Sequence, residues 1–192
     1  MAVFARRKGR SEAPIAADSC EGMEEGFRPL RMGRRHMVTY NNPPPARRLL
    51  PQEIEDLLNL AIPAHLATLD PTGFPRIVPL WFLWENGSFY LSSRQQSRHV
   101  QDLARDPHVS LCIAVEESQT EAGYRPFRQI MARGYAQVQP DPNAIWSRKL
   151  ISKYITGQAG VLRAEREAGK SHVVIVLRPE RFLTTGFFPA NE

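Results

Sequence analysis

The sequence predicts a mainly β domain, a small antiparallel barrel whose openings are covered by two or three helices. Three observations carry this reading. Short runs with strand-type alternation recur through residues 46–192, tight turns such as Asp70-Pro71-Thr72-Gly73 and Glu85-Asn86-Gly87 join them, and only brief stretches show helical spacing. The strands are not separated by crossover helices, and the glycines follow neither dinucleotide nor P-loop spacing, so a doubly wound nucleotide fold is not expected. Closing such strands into a barrel also removes exposed sheet edges.

Helical spacing comes first along the domain. Pro51 reads as the first residue of a helix, with Glu53, Glu55 and Asp56 in the opening turns where acids favour the dipole. Ile54, Leu57, Leu58 and Ile62 form its apolar stripe, and Pro63 ends it. The period then changes. Ala64–Leu69, Arg76–Trp84 and Ser88–Ser92 read as three strands of an antiparallel meander. A short helix follows over Ser97–Arg105, with Ser97 as N-cap, Val100 and Leu103 facing inward, and Asp106-Pro107 as its stop. Val109–Val115 and Gln129–Val138 are further strands, residues 143–155 a second covering helix, and Val173–Leu177 and Arg181–Thr185 the closing strands. Gly160–Lys170 reads as either a polar loop or a helical extension. Pro79 inside a strand implies an edge, a bulge or a ligand-facing position. Trp81 and Trp84, an odd number of residues apart, should face opposite sides, one lining a pocket and the other packing.

Composition limits the function classes. The chain has 192 residues, 42% of them hydrophobic, which suits one domain with a core and a tail. The net charge of +5 is unevenly placed: residues 1–47 hold 9 Lys/Arg against 5 Asp/Glu, and the remainder 16 against 15. A nucleic-acid reader carries its basic patch on the folded surface, so no nucleic-acid partner is expected. No apolar stretch reaches the roughly 20 residues needed to span a bilayer, and MAVFARRKGR lacks the apolar run of a secretory signal. Residues 1–45 read as a disordered extension ending in the Pro-rich linker Asn41–Pro45, with Met37 an alternative start. Cys20 and Cys112 fit neither a disulfide framework nor a zinc spacing, and Cys112 reads as a buried free thiol. The expectation is a cytoplasmic protein without a membrane partner and without a bound metal, since His36, His65, His99, His108 and His172 also lack metal spacing.

One stretch concentrates polar chemistry. Leu91-Ser92-Ser93-Arg94-Gln95-Gln96-Ser97-Arg98-His99 leaves a strand and enters a helix. Hydroxyls, guanidinium groups and the free N–H groups of a helix start converge there, which suits an anion. Arg98 offers a bidentate phosphate contact. The same residues also read as an ordinary capped helix with a solvated arginine. No hydrolytic triad or paired acid–base set accompanies them, and no catalytic residue is assigned.

The run from His65 to Ile113 resembles the pyridoxamine 5'-phosphate oxidase-like split-barrel superfamily, which includes flavin- and deazaflavin-dependent reductases. The matching segments are LATLDPTGFPRIVPLWFLW, GSFYLSS and SRHVQDLARDPHVSLCI, about fifty residues, with weaker agreement through Gly134 to Pro179. In that family the last segment has an Asn-Leu-x-x-Asp-Pro form. The resemblance implies an antiparallel split barrel, a homodimer, and a cofactor at the dimer interface. Carried over, it assigns Arg76, Ile77, Val78 and Trp81 to the flavin. Ser92 and Ser93 match the hydroxyl pair of the next strand, and Ser97, Arg98 and His99 the phosphate clamp. The family most often has Lys at the His99 position, and a neutral imidazole holds phosphate less firmly than an ammonium does. The family's oxidases end in a segment with Trp and Arg, whereas this chain ends RFLTTGFFPANE, so the vitamin reaction itself is not expected.

The leading expectation is therefore an oxidoreductase using FMN on a small organic substrate, with the hydride chemistry belonging to the cofactor. The deazaflavin F420 is the rival cofactor. A non-enzymatic haem- or flavin-binding barrel, with His99 or His65 offered to haem iron, is the alternative from another class. Attachment to nucleic acid or membrane through the Arg-rich tail ranks last.

Overall fold

Seven strands and four helices make up the described part of the chain, residues 46–117, 125–168 and 170–188 of a computed structural model. The chain divides into units Met1–Thr39 and Tyr40–Glu192. The expected extension over residues 1–45, with Cys20 and Met37, lies outside the described residues.

Helix α1 (Pro51–Asn59) starts where expected. Glu53 accepts the Leu50 N–H at 2.7 Å and both Arg47 guanidinium nitrogens at 2.7 and 2.6 Å. Arg47 also bridges to Gly186 through the backbone, so this entry segment is tied to the last strand. Strand β1 is Ala64–Leu69, as read from the sequence. Its turn is held by Asp70, whose carboxylate accepts the Thr72 and Phe74 N–H groups at 2.8 and 3.0 Å.

The expected strand Arg76–Trp84 is two strands. β2 (Pro75–Leu80) pairs with β1, and β3 (Phe82–Glu85) pairs with β4 (Ser88–Arg94). The break falls at Trp81, where the Phe82 N–H is taken by the Tyr154 hydroxyl at 3.1 Å instead of a ladder carbonyl. The Lys153 ammonium donates to the Phe82 carbonyl at 3.3 Å. The three-strand meander is thereby corrected. With β5 (His108–Glu116), β6 (Phe127–Pro140) and β7 (His172–Phe187), the sheet order is β2-β1-β5-β6-β7-β4-β3, all antiparallel, so β2 and β3, consecutive in the chain, are the two edges. The sheet curls far enough for one short junction to join its ends, which is a split barrel. The β3–β4 hairpin turns on Asn86 and Gly87, both with positive φ, as a two-residue turn requires.

α2 (Arg98–Arg105) follows β4, and β5 (His108–Glu116) and β6 (Phe127–Pro140) run somewhat beyond their expected limits. The helix expected over residues 143–155 begins later, as α3 (Ile145–Tyr154), because Asn143 and Ala144, inside a single 3-10 turn (Pro142–Ala144), adopt left-handed backbone conformations. Gly160–Lys170 resolves in favour of the helical alternative: α4 spans Gly157–Glu167.

The two closing strands are one, β7 (His172–Phe187), running through Pro179. Proline lacks a ladder donor, yet two features accommodate it. β4 pairs with β7 only as far as Leu177, and β6 shifts register between Arg133 and Gly134, with Gly134 opposite Pro179. A Cβ at Gly134 would lie 3.0 Å from the Arg178 carbonyl oxygen, so a larger residue there would press on the β7 backbone at the bulge. The barrel interior holds Leu66, Phe82, Phe89, Leu91, Leu111, Ile113, Ile130 and Ile175, all essentially inaccessible to solvent. Trp84 packs against Phe89 and Phe182 beside this core.

Candidate functional site

The end of β4 and the start of α2 place hydroxyls on two opposite faces, because successive strand residues alternate. Ser93 turns toward α2. Its hydroxyl lies 2.7 Å from His99 Nε2 and donates to Ser97 Oγ at 3.1 Å. His99 is buried, and burial pushes its imidazole below the ordinary histidine range; the Asp102 carboxylate opposes this and the Arg76 guanidinium reinforces it. The His99 Nε2 is engaged by Ser93 inside the corner.

Asp102, which sequence reasoning missed, is the hub of this corner. It is 4% exposed and accepts from Arg76 Nε at 2.7 Å and from the Thr68 hydroxyl at 3.1 Å. Asp102 stands where the family stretch has Asn, and that single departure was the available signal. The carboxylate holds Arg76 against α2, with the Arg76 side chain 28% exposed.

Arg98 and Arg94 differ from Arg76. Both are exposed, and among the described residues neither side chain makes a hydrogen bond or ion pair. Ser97 sits at the N-cap without a side-chain cap bond, and its carbonyl takes the Val100 N–H at 3.0 Å, so among the described residues the Arg98 and His99 N–H groups stay open at the positive end of the dipole.

Ser92 turns to the other face, where a cleft of about 310 Å³ opens between β4, α3 and α4. Trp81, Ser92, Arg94, Ser147, Glu167 and His172 are among the residues lining it. The Ser92 and Ser147 hydroxyls are 2.7 Å apart. Asp141 fixes Ser147 by accepting its N–H and its hydroxyl at 3.0 and 2.9 Å. The Trp81 indole stacks on Tyr154 with centroids 4.6 Å apart and planes 7° from parallel. Tyr154 donates to the Ile62 carbonyl at 2.8 Å, which fixes the plate in place. Pro79 lies on edge strand β2, one of the positions its sequence allowed, and lines the same cleft.

The structure therefore brings Arg76, Ser93, Ser97 and His99 together in one corner, with Arg98 on its outer side, and Trp81, Ser92 and Ser93 along one cleft. Ile77 and Val78 lie elsewhere. Ile77 is 65% exposed on the outer sheet face, and Val78 packs against the core. Cys112 is only half-buried and accepts from Gln129 Nε2 at 3.4 Å, so the expectation of a fully buried thiol is corrected. Tyr154, Ser147, Glu167 and His172 sit far along the chain from the β4–α2 motif, and no local pattern marked them. Among the described residues no cluster of His, Cys, Asp and Glu is placed to hold a metal, and no helix is long and apolar enough to cross a membrane.

A curled seven-stranded antiparallel sheet whose two edges meet through one short junction defines a split-barrel protein. The chain belongs to the pyridoxamine 5'-phosphate oxidase family, whose model matches residues 50–186. No curated protein matches it in sequence. Solved structures of the same fold include an F420 reductase, with 24% identity over 67% of this chain and 94% of that one, TM-score 0.50. A FAD-binding protein from Mesorhizobium loti shows 17% identity over 76% and 99%, TM-score 0.55. HutZ, the haem storage protein from Vibrio cholerae, shows 19% identity over 73% and 97%, TM-score 0.56.

Proposed function

We propose that this protein binds a flavin-type cofactor, FMN in the first instance, and uses it as an oxidoreductase on a small organic substrate. The observation that carries the reading is the start of α2. Two unpaired arginines and the open Arg98 and His99 N–H groups stand at the helix start, beside the Ser93–His99 pair that fixes it, and such donors suit a terminal phosphate. The Arg98 guanidinium and the Arg98 and His99 N–H groups would hold the phosphate, and Ser97 would add a hydroxyl. Arg76, already neutralised by Asp102, would orient the site more than charge it. A bound flavin supplies hydride transfer, and the protein supplies binding, orientation and exclusion of water. Arg98→Ala is expected to weaken FMN binding about tenfold or more, read by quenching of flavin fluorescence, with the melting temperature nearly unchanged. Unchanged affinity in that variant would remove the clamp.

F420 is the second cofactor reading, favoured by the likeness to an F420 reductase. The haem reading is weaker at His99, whose Nε2 is engaged by Ser93, and is left with exposed His65.

The homodimer belongs to the same proposal. Ile77, Met131 and Leu183 stand 65%, 44% and 52% exposed on the outer face of the sheet. Met131 is in register with both Cys112 and Leu183, and a shared hollow, bordered also by Ser110, Arg133 and Arg181, links them to Ile77. A second copy covering it would close the cofactor site from outside.

A further inference from the structure

We propose that the cleft between β4, α3 and α4 takes a planar cyclic amide, and that Ser92 is the residue that reads its N–H. This names the substrate class for the proposed oxidoreductase and so rests on that reading. It follows from a chain of hydroxyls whose hydrogens have only one order. Asp141 and Ser147 are each 4% exposed. The Asp141 carboxylate only accepts, and it takes the Trp146 N–H at 3.0 Å and the Ser147 N–H and hydroxyl at 3.0 and 2.9 Å. The single hydrogen of the Ser147 hydroxyl is thereby committed inward. The Ser92 hydroxyl, 2.7 Å away, is then the donor of that contact, and its oxygen keeps only lone pairs for anything else. Both serines line the cleft, so their contact lies in its wall, and half-buried Ser92 is the more accessible of the two.

That order sets the ligand's chemistry. A group that only accepts finds no hydrogen at Ser92, whereas an N–H donor completes it. Two residues along β4, Arg94 turns to the same sheet face and also lines the cleft. Its exposed guanidinium, unpaired among the described residues, only donates. An acceptor beside a donor matches an N–H next to a carbonyl, with the N–H on Ser92 and the carbonyl on Arg94. Glu167, the cleft's carboxylate, does not compete for the N–H, because Arg163, Lys170 and His172 hold it at 3.3, 2.9 and 3.0 Å. Trp81, stacked on Tyr154 and 37% exposed, gives the cleft a rigid aromatic wall that suits a flat body. About 310 Å³ is at the small end of ligand pockets, which fits one small ring system. Ser92 turns away from the Ser93–His99 corner, so the amide and the cofactor phosphate are read on opposite faces of β4.

The test is calorimetric titration of the full chain with isoindolinone, a flat cyclic amide, and with phthalide, its lactone counterpart. Phthalide puts a ring oxygen where the N–H stands and keeps the shape and the carbonyl. We expect isoindolinone to bind about tenfold more tightly than phthalide. In Ser92→Ala that preference should fall to about twofold or less. Ser147→Ala keeps the backbone bond to Asp141 but frees the Ser92 hydrogen, and it should narrow the preference too, which a merely structural role would not do. Arg94→Ala, on an exposed side chain, should weaken both ligands alike. Gln101→Ala, in a second cleft, should change neither. Absence of isoindolinone binding, equal affinity for phthalide, or a preference that persists in Ser92→Ala or Ser147→Ala would overturn the proposal. So would displacement of isoindolinone by FMN, which would put the cofactor and not a substrate in the cleft. FMN is also titrated alone, so FMN binding without isoindolinone binding sinks the substrate class alone. Preferential isoindolinone binding without FMN binding sinks the cofactor reading alone.

Discussion

Asp102 shows how much one side chain organises here. It is buried, holds Arg76 and Thr68, and raises the tendency of the neighbouring His99 to protonate against a stronger effect of burial. Removing it leaves a partly buried guanidinium and a buried hydroxyl without acceptors. Asp102→Ala is therefore expected to cost about 2 kcal/mol in denaturant unfolding, less than a fully buried pair because Arg76 keeps some solvent contact. A loss below about 0.5 kcal/mol would mean that the pair contributes nothing. The contrast with Arg98 follows from exposure: Arg98 makes no internal contact, so its substitution is expected to affect cofactor binding and not folding. The β4–α2 motif was legible in the sequence because its residues are contiguous. Asp102 was not, since an acid inside an amphipathic helix reads as a solvated face until β2 supplies its arginine.

The elements were legible wherever their causes are local. β1 and its turn, the Asn86-Gly87 hairpin and the start of α2 follow from alternation, turn residues and caps. The failures came from long-range partners. Pro79 hints at an irregularity between Arg76 and Trp84 but does not place the break; Lys153 and Tyr154, on a helix far along the chain, take the Phe82 backbone groups and set it at Trp81. Those two residues also carry a pH signature. Burial lowers the Lys153 ammonium to about 8, while its Nζ donates to the Leu58 carbonyl at 2.8 Å. Between about pH 8 and the ordinary lysine value, the unfolded chain binds a proton that the folded one has released, so stability is expected to rise with pH across that window. Lys153→Met should flatten the rise in denaturation midpoints measured from pH 7.5 to 10. An identical slope in that variant would remove Lys153 as its source.

The curled sheet has one face turned inward on the core and another that carries Ile77, Met131 and Leu183 to the surface. Local sequence pattern predicted a barrel, but neither the joining of its edges through Trp81 nor the gathering of this outer patch, because both depend on which strands become neighbours. If a second copy covers the patch, Leu183→Asp should shift the protein from dimer to monomer in light scattering and weaken FMN binding together with it. A dimer unchanged by that substitution would place the interface elsewhere. The claim on which the rest depends is that the barrel holds a flavin-type cofactor. It is tested most directly by titrating the purified protein with FMN, F420 and haem in turn, following visible absorption. A saturable shift with FMN or F420, lost in Arg98→Ala, is the result this structure leads us to expect. A response to haem alone, or to none of the three, would contradict it.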